Sequence, residues 1–257
     1  MAVAQELPHN HLLAELSLEE RNRLFPYLQL LVAIPLGKVL HEPGDLLLHA
    51  YFPVDCVVSL LHVMGNGASA EISVVGNDGV IGVALFMGGE TTPSRAIVQS
   101  AGYAYQLESQ RLKDEFHRNG GLQVSLLRYT QALITQMSQT AVCNRHHSVQ
   151  QQLCRWLLLS LDRLFSNQLV TTPELIANIL GVRCEGVTDA TGELQKLNVI
   201  AYAPGRIMVL DRPRLEQLCC ECYGVMKKET DRLRSRQAIS FEVMTRQTNA
   251  DLARARC

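Results

Sequence analysis

Between Tyr129 and Val142 the chain carries no charged residue, while Leu122, Leu126, Tyr129, Leu133, Met137 and the Thr140–Ala141 pair recur at spacings of three and four. The spacing predicts one long helix, roughly Leu122 to Val142. A helix that is uncharged all round must be covered on more than one face. One face can lie on the domain that precedes it. The other needs a partner, and the same helix of a second subunit is the economical choice; a helix buried inside a single domain is the alternative. On the first reading Leu126, Tyr129, Leu133 and Met137 form a dimer interface.

The helix divides two different textures. Upstream, residues 9–36 read as short helices, with Leu12, Leu13, Leu16 and the run Leu24 to Leu31 as apolar positions and Ser17 with Glu20 as a capping box. From Lys38 to Leu107 short apolar runs alternate with turn signals such as Glu42-Pro43-Gly44-Asp45, Gly65-Asn66-Gly67 and Gly76-Asn77-Asp78-Gly79. Strands are predicted at Lys38–His41, Leu47–Tyr51, Cys56–Val63, Glu71–Val75, Ala96–Ser100 and Ala104–Leu107. This rhythm belongs to an antiparallel sandwich or roll.

Downstream, Thr172-Pro173-Glu174 is a helix start with a cap residue, a first-turn Pro and an early acid. Leu175 to Leu180 continue it, Gly181-Val182 break it, and a second helix begins near Cys184. Ala177 is small where the helices meet, and Ile176, Leu180, Val182, Val187 and Ala190 supply a shared core. That set describes a helix-turn-helix. Two β-rich runs around Pro204-Gly205 add a hairpin wing.

Charge follows the same division. Residues 1–144 hold 8 Lys+Arg against 13 Asp+Glu, and residues 145–257 hold 16 against 12. The basic half is suited to an anionic partner. At 47% hydrophobic and 19% charged, the 257-residue chain is neither disordered nor a simple coiled coil. No apolar run reaches the ~20 residues of a membrane span, and no signal peptide is visible, so a cytoplasmic protein without a membrane partner is expected. The eight cysteines show no paired framework and read as reduced thiols. Cys219, Cys220 and Cys222 form one cluster without a second pair at metal spacing, and His146-His147 read as neighbours of solvent or phosphate. No metal site and no cofactor are therefore expected. No nucleophile–base arrangement or phosphate loop is present, so no catalytic activity is expected either.

The order of roll, long helix and winged helix resembles the Crp/Fnr family of bacterial transcription regulators. Specific stretches carry the likeness: Gly37 to Gly44, Tyr51-Phe52-Pro53, Gly76-Asn77-Asp78-Gly79, Gly82, and Leu180-Gly181-Val182-Arg183-Cys184-Glu185-Gly186-Val187-Thr188. The resemblance implies an α+β fold: a cyclic-nucleotide-binding-like β-roll over residues 1–118, a dimerisation helix and hinge over 119–147, and a winged helix-turn-helix over 148–215. A C-terminal helical extension follows over 216–257. It implies a homodimer that sets one recognition helix per subunit into successive major grooves of duplex DNA, with RNA polymerase as a further partner. Groove-facing residues would be Arg183, Cys184, Glu185, Thr188 and Asp189, flanked by Thr172, Lys196 and Arg206. Cys184 and Asp189 stand where the best-known members carry arginines, which read guanine bidentately; Glu185 can accept from a cytosine amino group.

Relatives that bind cyclic nucleotides hold the ribose with a Gly-Glu carboxylate and the cyclic phosphate with an arginine. Here the first position pair is Gly82-Val83, and Ser94 takes the arginine's place ahead of Ala96. Arg95 comes one residue late, which in an extended segment turns it to the opposite face. Glu90 and Arg95 are the available substitutes. The pocket is thus a degenerate one that takes an unidentified small-molecule effector or is only structural. A rival reading keeps the fold but makes the chain a sensor or interaction protein that has lost sequence-specific DNA binding.

Overall fold

The structure, a computed structural model, describes residues 9–203 and 205–233. Two short helices, α1 (His11–Ala14) and α2 (Leu18–Leu24), open the fold. Seven strands follow: β1 (Gln29–Ile34), β2 (Val39–His41), β3 (His49–Pro53), β4 (Val57–Val63), β5 (Ser69–Val75), β6 (Arg95–Ser100) and β7 (Gly102–Glu108). They pair antiparallel in two sheets, ordered β1-β7-β3 and β2-β6-β4-β5. Then come α3 (Ser109–Phe116), the long α4 (Gly121–His146) and α5 (Val149–Leu161). The remaining elements are β8 (Gln168–Val170), α6 (Pro173–Leu180), α7 (Cys184–Lys196), β9 (Ile200–Ala203), β10 (Arg206–Val209), α8 (Arg212–Leu218) and a last helix, α9, over 221–233. Strands β8, β10 and β9 make the small sheet of the wing. The fold is α+β: an N-terminal antiparallel roll, a long helix, and a C-terminal helix-turn-helix. Among the described residues no helix is long and apolar enough to cross a membrane.

Each predicted strand is present, shifted by one or two residues at its ends. Residues 29–34 depart from the helical reading and form β1, pairing Ala33 with Tyr103 and Ile34 with Gly102. A short apolar run fits either period, and the open edge of β7 decides it. The Ser17–Glu20 capping box forms as predicted. Glu20 also accepts from the Leu122 backbone N–H at 2.9 Å, which ties α2 to the first turn of α4. Burial opposes the charge on Glu20, but the N–H groups of Leu122 and Ser17 hold its carboxyl below the usual range.

The roll claims the apolar stripe of α4. Leu126 and Leu133 are 0% and 5% exposed, and Tyr129 and Met137 pack on the two cores of the roll. The four residues assigned to a dimer interface therefore face other parts of the same chain: Leu126, Tyr129 and Met137 meet the roll, and Leu133 lies beside Leu12, Arg163 and Leu233. The stripe left open is a different one. Val124, Leu127, Ile134 and Val142 are 43%, 47%, 51% and 49% exposed.

The winged helix is docked on the roll. Val57, Leu61 and Val74 of the sheet share one core with Leu153, Trp156, Leu157, Ile176 and Val187. Polar bonds set this contact in place. Gln99 accepts from Ser59 Oγ at 2.6 Å and from Trp156 Nε1 at 3.3 Å, and donates to Ser160 Oγ at 2.7 Å. Arg163 pairs with Asp78 at 2.7 Å.

Glu71 of β5 is buried in the same region. Burial pushes its carboxyl up to about 7, against the pull of the Ser59 hydroxyl and the Arg155 and Arg163 charges. The native state therefore holds a proton that the unfolded chain releases above its ordinary value of 4.5. Stability should fall as pH rises from about 4.5 through about 7, by up to ~3 kcal/mol at 1.36 kcal/mol per pKa unit. Glu71→Gln should remove most of that fall. Urea unfolding of both proteins between pH 5 and 8 checks it, and parallel pH profiles would refute it.

Candidate functional site

The two helices of the turn are built by local chemistry. Thr172 accepts from the Leu175 N–H at 3.3 Å and caps α6, with Pro173 in the first turn. The backbone N–H at Glu174 and the Thr172 hydroxyl hold the Glu174 carboxyl below its usual range. Gly181 ends α6 at φ +67, and a Cβ there would stand 3.1 Å from Ala70 Cβ of the roll. Both the left-handed backbone and the close approach require glycine. Ser69 Oγ reaches the Asn178 carbonyl at 3.4 Å beside it.

Helix α7 has two distinct faces. Val187, Ala190, Thr191 and Leu194 are buried, the first, second and fourth in the core shared with α5. Glu185, Thr188 and Asp189 are exposed and Cys184 is half-buried. Arg183 is the exposed N-cap residue, and its side chain makes no capping bond. Thr188 Oγ1 donates to the Cys184 carbonyl at 3.0 Å, which leaves its oxygen lone pairs and methyl to face outward. Lys196 is exposed at the other end of α7, Thr172 is exposed at the start of α6, and Arg206 is exposed at the start of β10. The hairpin turns at Gly205, φ +80.

In the roll, Gly82 has φ +108, and a Cβ there would press on Leu85 Cδ1 at 3.2 Å. Val83 begins a 3-10 turn, half-buried. Ser94 is buried with its hydroxyl 3.0 Å from Thr92 Oγ1, and Ala96 is fully buried in the core. Arg95 pairs with Glu42 at 2.7 Å, and Glu90 pairs with Lys113 at 3.1 Å. The two residues that could have replaced a lost arginine and carboxylate are thus bound to other charges. His41 is buried, and burial pushes its pKa down; His49 is half-buried and His62 exposed.

A third group of residues is assembled from distant positions. Cys143 and His147 lie four apart at the end of α4, and Cys220 and Cys222 lie at the start of α9. Their four ligand atoms all fall within 4.8 Å of one another. Cys143 Sγ is 3.5 Å from Cys220 Sγ, and Cys222 Sγ is 3.6 Å from His147 Nδ1. The other ring nitrogen, Nε2, is 3.3 Å from a Glu221 carboxylate oxygen. Cys219, Cys220 and Cys222, read from the sequence as reduced thiols without a second pair at metal spacing, are free thiols here, but Cys143 and His147 stand beside them; His147, read as a neighbour of solvent or phosphate, contacts Cys222 and Glu221. The second pair of ligands comes from α4, far away in sequence. A Cys and a His four apart on a helix were the available signal, since that spacing puts both on one side.

The Crp-like helix-turn-helix family model matches residues 151–218. No curated protein matches the chain. Solved structures share its fold. A regulator of the crp/fnr family from Eubacterium rectale is 16% identical, with TM-score 0.60 over 82% of this chain and 98% of that one. FixK2 from Bradyrhizobium japonicum is 14% identical, with TM-score 0.61 over 74% and 96%. A CRP/FNR-family transcriptional regulator from Thermus thermophilus is 21% identical, with TM-score 0.57 over 73% and 97%.

Proposed function

We propose that this chain, with its Crp-like helix-turn-helix and the fold of Crp/Fnr transcriptional regulators, is a homodimeric, sequence-specific DNA-binding regulator that acts by binding and not by catalysis. One observation carries the reading: α7 buries its apolar face beneath a row of exposed polar side chains, Arg183, Glu185, Thr188 and Asp189. That is the division a helix needs to lie in a major groove. Dimerisation through the open stripe of α4 would present two such helices. We assign the roll to residues 1–118, the dimer helix and hinge to 119–147 and the winged helix to 148–215. Of the extension at 216–257, residues 221–233 are helical, and the rest lies outside the described residues. RNA polymerase is carried over as a partner from the family likeness alone.

The roll's pocket lacks both groups that a cyclic nucleotide needs, with Val83 and Ser94 in their places. We expect no calorimetric signal for cyclic AMP at micromolar concentration; a micromolar dissociation constant would overturn this reading of the pocket.

Readout is assigned to Glu185 and Arg183, and phosphate contact to Thr172, Lys196 and Arg206. Glu185→Ala should relax preference at one base pair per half-site by about 1–3 kcal/mol while leaving non-specific affinity nearly intact. Lys196→Ala or Arg206→Ala should weaken all sequences alike and lower the salt slope by about one. Titrating each variant against a selected duplex and its single-base variants at two salt concentrations separates these effects. Asp189 stands where an arginine would read guanine, and this favours the rival reading of a fold that has lost specific binding. Equal affinity for all duplexes would establish that rival.

A further inference from the structure

We propose that Cys143, His147, Cys220 and Cys222 form a binding site for a zinc ion that fastens the end of α4 to the segment following the winged helix.

The geometry fits a single ion. With Zn–S bonds near 2.3 Å, a tetrahedral site spaces its sulfurs about 3.8 Å apart. The measured contacts are 3.5 Å between Cys143 and Cys220 sulfurs and 3.6 Å between Cys222 Sγ and His147 Nδ1. No ligand atom lies more than 4.8 Å from another. An iron–sulfur cluster, whose own core must fit between its ligands, needs them farther apart. Three soft thiolates and an imidazole select zinc over magnesium or calcium. Four protein ligands leave no open position, which makes the site structural and not catalytic.

Two features around the ligands support the assignment. His147 directs Nδ1 at the cluster and Nε2 at the Glu221 carboxylate, 3.3 Å away. A carboxylate behind a histidine is the usual outer partner of a metal-bound imidazole, because it fixes the ring and its tautomer. Beside the cluster, Arg155 is only 3% exposed, and it donates hydrogen bonds to neutral groups: Thr140 Oγ1 at 2.8 Å and Asn144 Oδ1 at 3.4 Å. These two residues flank Cys143 on α4. The Glu71 carboxyl feels the Arg155 charge, but burial pushes that carboxyl up to about 7, so a further anion close by stabilises the buried guanidinium. A zinc ion with three thiolates carries a net charge of −1 and supplies it.

Closing the site releases protons from the three thiols and bridges residues 77 apart in sequence. It spans the turn at His147 between α4 and α5, so the ion fixes where α4 ends relative to the chain that leaves α8.

The test uses the full-length protein purified under reductant and reconstituted with zinc alone, then desalted. Elemental analysis should find one zinc per chain in the wild type and in Cys184→Ser, and less than a tenth of that in Cys220→Ser and Cys222→Ser. Cobalt substitution should give the visible bands of a tetrahedral thiolate site. Because a cysteine variant could misfold, Glu221→Gln is the second arm. It keeps all four ligands and should still bind one zinc, with affinity 10- to 100-fold lower in chelator competition. Wild-type protein without stoichiometric zinc would overturn the proposal, as would iron bound in place of zinc or an unchanged cobalt spectrum in Cys222→Ser.

Discussion

Arg163→Ala is expected to cost about 3–5 kcal/mol of folding stability, the usual loss when one partner of a buried ion pair is removed. The Arg163 and Asp78 side chains are only 8% and 14% exposed and meet at 2.7 Å. Arg163 also donates to the Leu159 carbonyl at 2.7 Å. Truncation leaves the largely shielded Asp78 carboxylate without its cation at the junction of roll and winged helix, with the Gly76 N–H at 3.3 Å still donating to it. Arg95→Ala is the control: its pair with Glu42 is 34% and 43% exposed and should be worth no more than about 1 kcal/mol. Guanidinium unfolding of both variants measures the contrast. Equal losses would mean that the junction does not depend on the Arg163 pair.

Ile134→Glu is expected to dissociate the dimer proposed through the open stripe of α4. The exposed positions of α4 run Val124, Leu127, Gln131, Ile134, Ser138 and Ala141, at alternating spacings of three and four. This is the heptad repeat of a helix seam. Its centre is uncharged, and a two-fold axis would bring two new carboxylates to the same place. Dimer affinity should fall on the order of 100-fold, or about 3 kcal/mol. Leu133→Glu, one residue away, should instead unfold the chain, because Leu133 is 5% exposed and lies beside Leu12, Arg163 and Leu233 of the same chain. Sedimentation with circular dichroism separates a folded monomer from an unfolded chain. A folded Ile134→Glu dimer would place the seam elsewhere.

These two variants also mark the limits of the sequence. Local chemistry was legible: the Ser17 capping box, the Thr172 cap, the Gly181 turn and the strand punctuation from Lys38 to Leu107 each depend on neighbours close in the chain. The long helix was legible too, since the run from Tyr129 to Val142 has no other reading. Which of its apolar stripes faces inward was not, because Leu126 and Ile134 look alike until the roll is in place. The docking of the winged helix was likewise invisible. Gln99, Ser160, Asp78 and Arg163 are unremarkable polar residues until folding brings them together. The Cys143–His147–Cys220–Cys222 group failed for the same reason, its halves lying on separate helices. The exposed face of α7 could be drawn in advance because a single helix carries it.

DNA reading by α7 within a dimer is what the proposed regulator requires. Its most direct test is selection of bound duplexes from a random pool by purified wild-type protein, followed by titration of the selected site across salt. The expected result is enrichment of a near-palindrome whose half-sites lie one helical turn apart, and affinity that falls steeply and log-linearly with salt. A pool that stays unenriched, with weak binding indifferent to sequence, would contradict it.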